Sequence, residues 1–171
     1  LKNMFNSSPQ KNIIRKFNSL LLSIRVVEEK DIDFLFDLSN DSIVRENSYK
    51  SNKIEYANHK KWFNAQLETN RNFLFILVYK NNPVGQVRFS FEKEHSVIGI
   101  SLLRNSRGKG LASAGLVLGI NKYFEKFDIP IYAFIKKSNF ASIHSFQNAG
   151  FEYLKDVLVE NEQSVLYTIG K

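Results

Sequence analysis

Branched aliphatic residues crowd positions 21–27, "LLSIRVV", and mark a first strand. In residues 28–41, "EEKDIDFLFDLSND", Ile32, Leu35, Phe36 and Leu38 recur at helical spacing, and Asn40-Asp41 ends the run. A second amphipathic helix is predicted over 54–68, "IEYANHKKWFNAQLE", with Ile54, Ala57, Trp62, Ala65 and Leu67 roughly on one side. A dense apolar strand follows, "NFLFILVYK", with a turn at Asn81-Asn82-Pro83. "PVGQVRFSFE" alternates at Val87, Phe89 and Phe91 and reads as a strand, as does "SVIGISLLR". A glycine turn opens an almost wholly apolar helix that runs to about Phe127. "IPIYAFIKK" is a strand, "NFASIHSFQNAGF" is a short helix closed by Gly150, and "YLKDVL" with "SVLYTIG" forms a last hairpin. Three meandering strands followed by one crossover helix argue for a mixed sheet in a layered α/β domain.

Residues 1–19 read as a polar arm or linker and residues 20–171 as one domain, long enough to bury a core. The 15 Phe and 7 Tyr give that core an aromatic character. With no Cys there is no disulfide, thiolate metal site or cysteine nucleophile, and three widely spaced His give no metal site. The net charge of +7 reads either as a solubilising surface with no special partner or as attraction to an anion such as a nucleotide, a phosphorylated cofactor or nucleic acid. No run of five basic residues supports nucleic-acid binding, and no apolar run approaches the ~20 residues of a membrane span. The apolar patches near the start are broken by Lys, Arg and Asn, with no small-residue cleavage site after them. A cytoplasmic protein is the expectation.

The chemistry concentrates in residues 104–124, "RNSRGKGLASAGLVLGINKYF". A P-loop is excluded, because Gly108-Lys109 is followed by Gly110 rather than Ser or Thr. The dinucleotide fingerprint fits poorly: Ser113 stands where Gly or Ala belongs, and the next strand ends in Lys136-Lys137 rather than an acid. The pattern [QR]-x-x-G-x-[GA] is matched by Arg107, Gly108, Lys109, Gly110, Leu111 and Ala112. A helix that opens this way offers unpaired N–H groups and a partial positive charge to an anion. Downstream, Asn139, Ser142, Phe146, Gly150 and Phe151 fill a second pattern, Asn-x-x-[AS]-x-x-x-[Tyr/Phe]-x-x-x-Gly-Phe.

On these two motifs, residues 21–171 resemble the GNAT superfamily of acyl-CoA-dependent N-acyltransferases. The resemblance implies a mixed, mostly antiparallel central sheet flanked by helices, with acetyl-CoA as co-substrate and no metal. It implies that Arg107, Gly108, Lys109, Gly110, Leu111 and Ala112 hold the CoA pyrophosphate. Asn139, Ser142 and Phe146 would flank the pantetheine arm between two splayed strands. The strand end at Leu102 and Leu103 would supply a backbone N–H to polarise the thioester. Many relatives carry Tyr at the position of Phe146 as general acid, and a phenyl ring cannot donate a proton.

The stretch "DLSNDSIVRENSYKSNKIEYANHKKWF", with "GQVRFSF", resembles a branch that acetylates nucleotide-linked amino-deoxy sugars in pseudaminic-acid and related nonulosonate pathways. That points to a sugar nucleotide as acceptor, with Glu46 and Asn47 holding the sugar and His59 as the catalytic base. A helix-face histidine bonded to backbone is the competing reading of His59. A protein N-terminus as acceptor, as in ribosomal-protein acetyltransferases, and a non-catalytic acyl-CoA-binding module are the alternatives. A homodimer is compatible with all three.

Overall fold

The structure, a computed structural model, describes residues 21–68 and 73–171, so the expected arm at 1–19 lies outside the described residues. Strand β1 (Leu22–Val26) enters a 3-10 turn (Glu29–Asp31) that leads into α1 (Ile32–Asn40). Helices α2 (Ser42–Glu46) and α3 (Tyr56–Glu68) precede the meander β2 (Leu74–Tyr79), β3 (Asn82–Phe91) and β4 (Ser96–Leu102). Then come α4 (Leu111–Phe124), β5 (Ile131–Lys136), α5 (Phe140–Asn148), β6 (Glu152–Val159) and β7 (Glu162–Ile169). The seven strands lie in the order β1-β2-β3-β4-β5-β7-β6. Every pairing is antiparallel except β4 with β5. This is the mixed, mostly antiparallel sheet that the sequence implied.

Side-chain alternation along β2 and β3 sorts residues to the two faces of the sheet. Phe73, Phe75, Val87, Phe89 and Ile98 meet Leu116, Val117, Ile120 and Tyr123 of α4 in the larger core. Leu74 and Ile76 meet Leu35, Leu38 and Phe63 of α1 and α3 on the other face. The rings of Phe73, Phe89, Phe91, Tyr123 and Phe127 stack or meet edge-to-face. Close approach of α4 depends on Gly119, where an added Cβ would lie 2.8 Å from Val87 Cγ1.

Three local features differ from the sequence reading. Helix α2 forms where a loop was expected, because the Asp41 carboxylate accepts from Ile43 N–H and Val44 N–H and caps it. Five residues are too few to display a helical period. The inward side of α3 is centred on buried His59 and Phe63, with Trp62, Gln66 and Leu67 beside them, while Ala57 and Ala65 face solvent. The β2–β3 turn is Lys80-Asn81, both at positive φ (51 and 63°), and Asn82-Pro83 already belongs to β3. Such a two-residue turn matches the twist of a hairpin. The α5 C-terminus closes on Gly150 (φ 96°): Phe151 N–H donates to Phe146 O and Gly150 N–H to Gln147 O.

Gly119→Val places two methyls against β-branched Val87, which has little freedom to move aside. Chemical denaturation should show a loss of about 1–3 kcal/mol. At Gly99, where an added Cβ meets nothing within 4 Å, Gly99→Ala should show no such loss.

Candidate active site

Strands β4 and β5 pair only at Ser96 with Ile131 and Val97 with Tyr132. Beyond that point they diverge and open a cleft of about 940 Å³. The β3–β4 register decides which backbone groups face it. Leu103 N–H donates to Val84 O and Glu92 N–H to His95 O, so alternate positions between them bond across to β3. The N–H groups of Ile98, Ile100 and Leu102 therefore point to the side away from β3, toward the splay. Of Leu102 and Leu103, the two residues expected to supply a polarising N–H, Leu103 has that group occupied by Val84 O at 2.9 Å. Leu102, one residue earlier, has the orientation the role requires.

The glycine turn stands at one end of the cleft. Gly108 and Gly110 adopt left-handed backbone (φ 73 and 78°), which favours glycine. Gly110 is the N-cap of α4 and has no side chain to cap with. Ala114 N–H is the first to find a helical partner, Gly110 O at 3.3 Å, so the N–H groups of Leu111, Ala112 and Ser113 precede the first internal bond. Those three residues, with Arg107, Gly108 and Gly110, line the cleft. Lys109 is exposed and is not among the lining residues.

The Arg107 side chain lines the cleft and also holds its frame. Its Nε donates to Leu102 O at 3.0 Å, and its guanidinium lies 2.6 Å from Asp41 Oδ1. It therefore ties the end of β4 to the N-cap of α2. Burial works against ionisation of Asp41. The Arg107 hydrogen bond, the Val44 and Ile43 N–H donors and the arginine charge outweigh it, and the carboxyl stays below its ordinary pKa.

On the opposite wall, the Asn139 side-chain oxygen accepts from Ser142 N–H at 3.1 Å and caps α5. Asn139, Ser142 and Phe146 all line the cleft. Phe146 is 3% exposed and meets Phe151 edge-to-face with centroids 5.0 Å apart, so its ring also belongs to the core. The segment after α2 roofs the cleft. Lys136 Nζ donates to Glu46 O at 3.0 Å, and Tyr49 O–H to Ser164 Oγ at 3.0 Å. At its base, Asn40 holds Ile54 through two hydrogen bonds.

Of the residues expected to hold an acceptor, Asn47 lines the cleft, and its Nδ2 donates to Ile43 O. The Glu46 side chain is exposed and lines an outer hollow beside Lys136 and Glu162. The structure does not bring His59 to the cleft. It is 2% exposed, and its Nε2 lies 2.9 Å from Ile32 O, an acceptor that requires the proton on that nitrogen. Phe36, Trp62 and Phe63 surround the ring at centroid distances of 5.4, 5.6 and 6.0 Å. This histidine fastens α3 to α1, as its competing reading had it.

Sequence reasoning passed over the floor of the cleft. Gln86, Arg88 and Ser90 of β3 stand opposite Ser101, Gly99 and Val97 of β4, and all six line it. The signal was present: polar residues alternate with Val87, Phe89 and Phe91 along a central strand. Arg88 lies over the Trp62 ring, 5.7 Å from its centroid. Its side chain is exposed in the open cleft yet surrounded by protein, and its pKa is lowered, by that surrounding protein first and by the nearby Arg45 charge second. Among the described residues lining the cleft the basic ones are Arg88, Arg107, Lys136 and His144, and none is Asp or Glu. Among the described residues no group of three or more His, Cys, Asp or Glu could hold a metal ion, and no helix is long and apolar enough to cross a membrane.

The acetyltransferase (GNAT) domain family model matches residues 22–152. A comparison with curated proteins found no match. Among solved structures, the chain is similar to spermidine N-acetyltransferase from Vibrio cholerae in complex with CoA and spermine. The TM-score is 0.78 at 18% identity, over 90% of this chain and 96% of that one. It is also similar to aminoglycoside acetyltransferase AAC(6')-Ib in complex with coenzyme A and kanamycin (TM-score 0.72, 16% identity, 88% and 95% covered). An N-acetyltransferase from Staphylococcus aureus Mu50 gives a TM-score of 0.74 at 21% identity, with 87% and 98% covered. At these identities the likeness is one of fold.

Asp41 both caps α2 and pairs with Arg107, so Asp41→Ala should cost about 1–2 kcal/mol at neutral pH in urea unfolding. Because the folded-state pKa is depressed, the stabilisation is complete above about pH 4 and is lost as the pH falls through the folded value. The gap between wild type and Asp41→Ala should therefore narrow on acidification. A gap independent of pH would contradict the role given to the charge.

Proposed function

Because the chain belongs to the GNAT acetyltransferase family, we propose that it transfers the acetyl group of acetyl-CoA to the amine of a nucleotide-linked amino-deoxy sugar. The domain that does so spans residues 20–171, with 1–19 as an arm or linker. The pyrophosphate is held by the N–H groups of Leu111, Ala112 and Ser113 and by the turn through Gly108 and Gly110, where an anion meets the positive end of α4. The geometry fits such a group: both glycines are left-handed, and a Cβ at Gly108 would meet nothing within 4 Å. The pantetheine arm occupies the splay along Ile98, Ile100 and Leu102. The thioester carbonyl accepts from Leu102 N–H, which stabilises the charge that develops on its oxygen.

The amine then attacks the carbonyl carbon directly. Its lone pair forms the C–N bond, the C–S bond breaks, CoA leaves as thiolate, and the nitrogen's proton passes to solvent. Phe146 cannot protonate the sulfur. A thiol with an ordinary pKa of about 8.5 leaves tolerably as thiolate, so a dedicated acid is not required. Holding amine and thioester together supplies several kcal/mol of the barrier.

The observation that carries the choice of acceptor is the charge of the cleft: basic side chains line it, and no carboxylate does among the described residues. Arg88 lines the cleft and is a cation that a nucleotide diphosphate would neutralise on the acceptor side. A polycation such as spermine or kanamycin, bound by the structural relatives named above, would meet repulsion there.

A thiol-release assay with acetyl-CoA should compare UDP- and CMP-linked amino-deoxy sugars with spermidine, kanamycin and short peptides bearing free N-termini. The reading expects at least one nucleotide-linked sugar to be turned over with a kcat/KM about 100-fold or more above that of spermidine, equivalent to roughly 2.7 kcal/mol. A preference for polyamines or peptides would overturn the acceptor assignment, and release of no thiol with any amine would overturn the enzymatic one.

A further inference from the structure

Gln86 is 8% exposed, and its Oε1 is buried without a hydrogen-bond partner among the described residues. A buried carbonyl oxygen left unpaired is costly, and native proteins keep few of them. Gln86 also lines the cleft. None of its neighbours donates to Oε1: Ser101 faces it from β4, Arg88 and Ser90 follow it on the same face of β3, and Val87 and Phe89 point into the opposite core. The oxygen is thus left to take a donor that enters the cleft.

The position of Gln86 identifies that donor. It is paired with Ser101, so the two Cα atoms are about 5.5 Å apart and both side chains stand on the cleft face. Leu102, whose N–H turns toward the splay, is the next residue after Ser101. A group bonded to Gln86 therefore sits one residue away from the place where the thioester carbonyl is polarised. A reacting amine is a donor suited to this place, since it needs its lone pair aimed at carbon while an N–H is held from behind.

We propose that the Gln86 side-chain oxygen accepts a hydrogen bond from the reacting amine and orients its lone pair toward the thioester carbonyl beside Leu102 N–H. The proposal rests on the acetyl-transfer reading above but not on the nature of the sugar. Gln86 takes no proton. It holds one N–H of the neutral amine while the C–N bond forms and the C–S bond breaks, and the proton lost from nitrogen goes to water. A neutral amide also suits this role beside Arg88, because it does not stabilise the protonated, unreactive amine as a carboxylate would.

Hydroxylamine tests this without knowledge of the natural acceptor, since it is small, largely neutral near pH 7.5, and carries N–H donors. Thiol release from acetyl-CoA should be followed for wild type, Gln86→Leu and Gln86→Glu, with the UDP-linked amino sugars assayed in parallel. Gln86→Leu keeps the side-chain size and removes the acceptor. It should lower kcat/KM for hydroxylamine about tenfold, with KM for acetyl-CoA changed less than about twofold. Gln86→Glu, which can only accept, should recover most of that loss. A Gln86→Leu enzyme with wild-type kcat/KM, a matching rise in KM for acetyl-CoA, or an equal loss in Gln86→Glu would each overturn the proposal. Wild type that speeds hydroxylaminolysis but ignores every sugar nucleotide would overturn the sugar-nucleotide reading and leave Gln86 in its role. Wild type inert toward hydroxylamine but active on a sugar would overturn the Gln86 role alone, since the amine would then be placed by its sugar.

Discussion

Strands β4 and β5 run together for two paired positions and then separate, and the centre of the molecule is organised around that parting. A continuous sheet would have joined the backbone groups of Ile100 and Leu102 to β5. The splay withholds those partners, and buried backbone groups without partners carry a free-energy cost. Part of that need is met inside the protein, where Arg107 Nε donates to Leu102 O. The rest faces a cleft, where an amide-bearing arm can complete the pairing. The same geometry brings the N-termini of α4 and α5 to opposite walls of the gap.

Keeping two strands apart requires support from both sides. Arg107 links the end of β4 to Asp41, and through the Asp41 cap to α2. Lys136 ties the last residue of α2 to β5, and Tyr49 ties the segment that follows to β7. The N-terminal half thus spans the gap as a roof, and this explains why the short helix α2 matters although it buries none of its residues fully. The charge pattern follows from the same arrangement. The carboxylates near the cleft are used in holding the frame, Asp41 on Arg107 and Glu162 on Lys136, and the lining itself is left basic.

Much of this was legible in the sequence, for identifiable reasons. Strands with strong alternation, such as the one carrying Val87, Phe89 and Phe91, and the glycine turn through Gly108 and Gly110 announce themselves by period and composition. Helix α2 did not, because five residues cannot show a period and only the capping Asp41 marks it. His59 drew a catalytic reading because an isolated imidazole on an amphipathic helix gives no sign of its partner. That partner, Ile32 O, is 27 residues away and becomes its neighbour only when α3 packs on α1. Nor did the motif around Arg107 announce that its guanidinium would pair with Asp41, 66 residues earlier in the chain. Gln86 stood in plain view, but the significance of its unpaired oxygen depends on the burial of the strand around it.

The claim that the β4–β5 splay and the α4 N-terminus together form the acyl-CoA slot can be tested most directly by amide hydrogen exchange with and without coenzyme A. Protection should rise at Ile100, Leu102 and Leu111 to Ser113, the positions whose N–H groups turn toward the cleft. Leu103, already bonded to Val84 O, should be little changed. Coenzyme A that binds while leaving Leu102 and Leu111 to Ser113 exchanging as before would contradict the account.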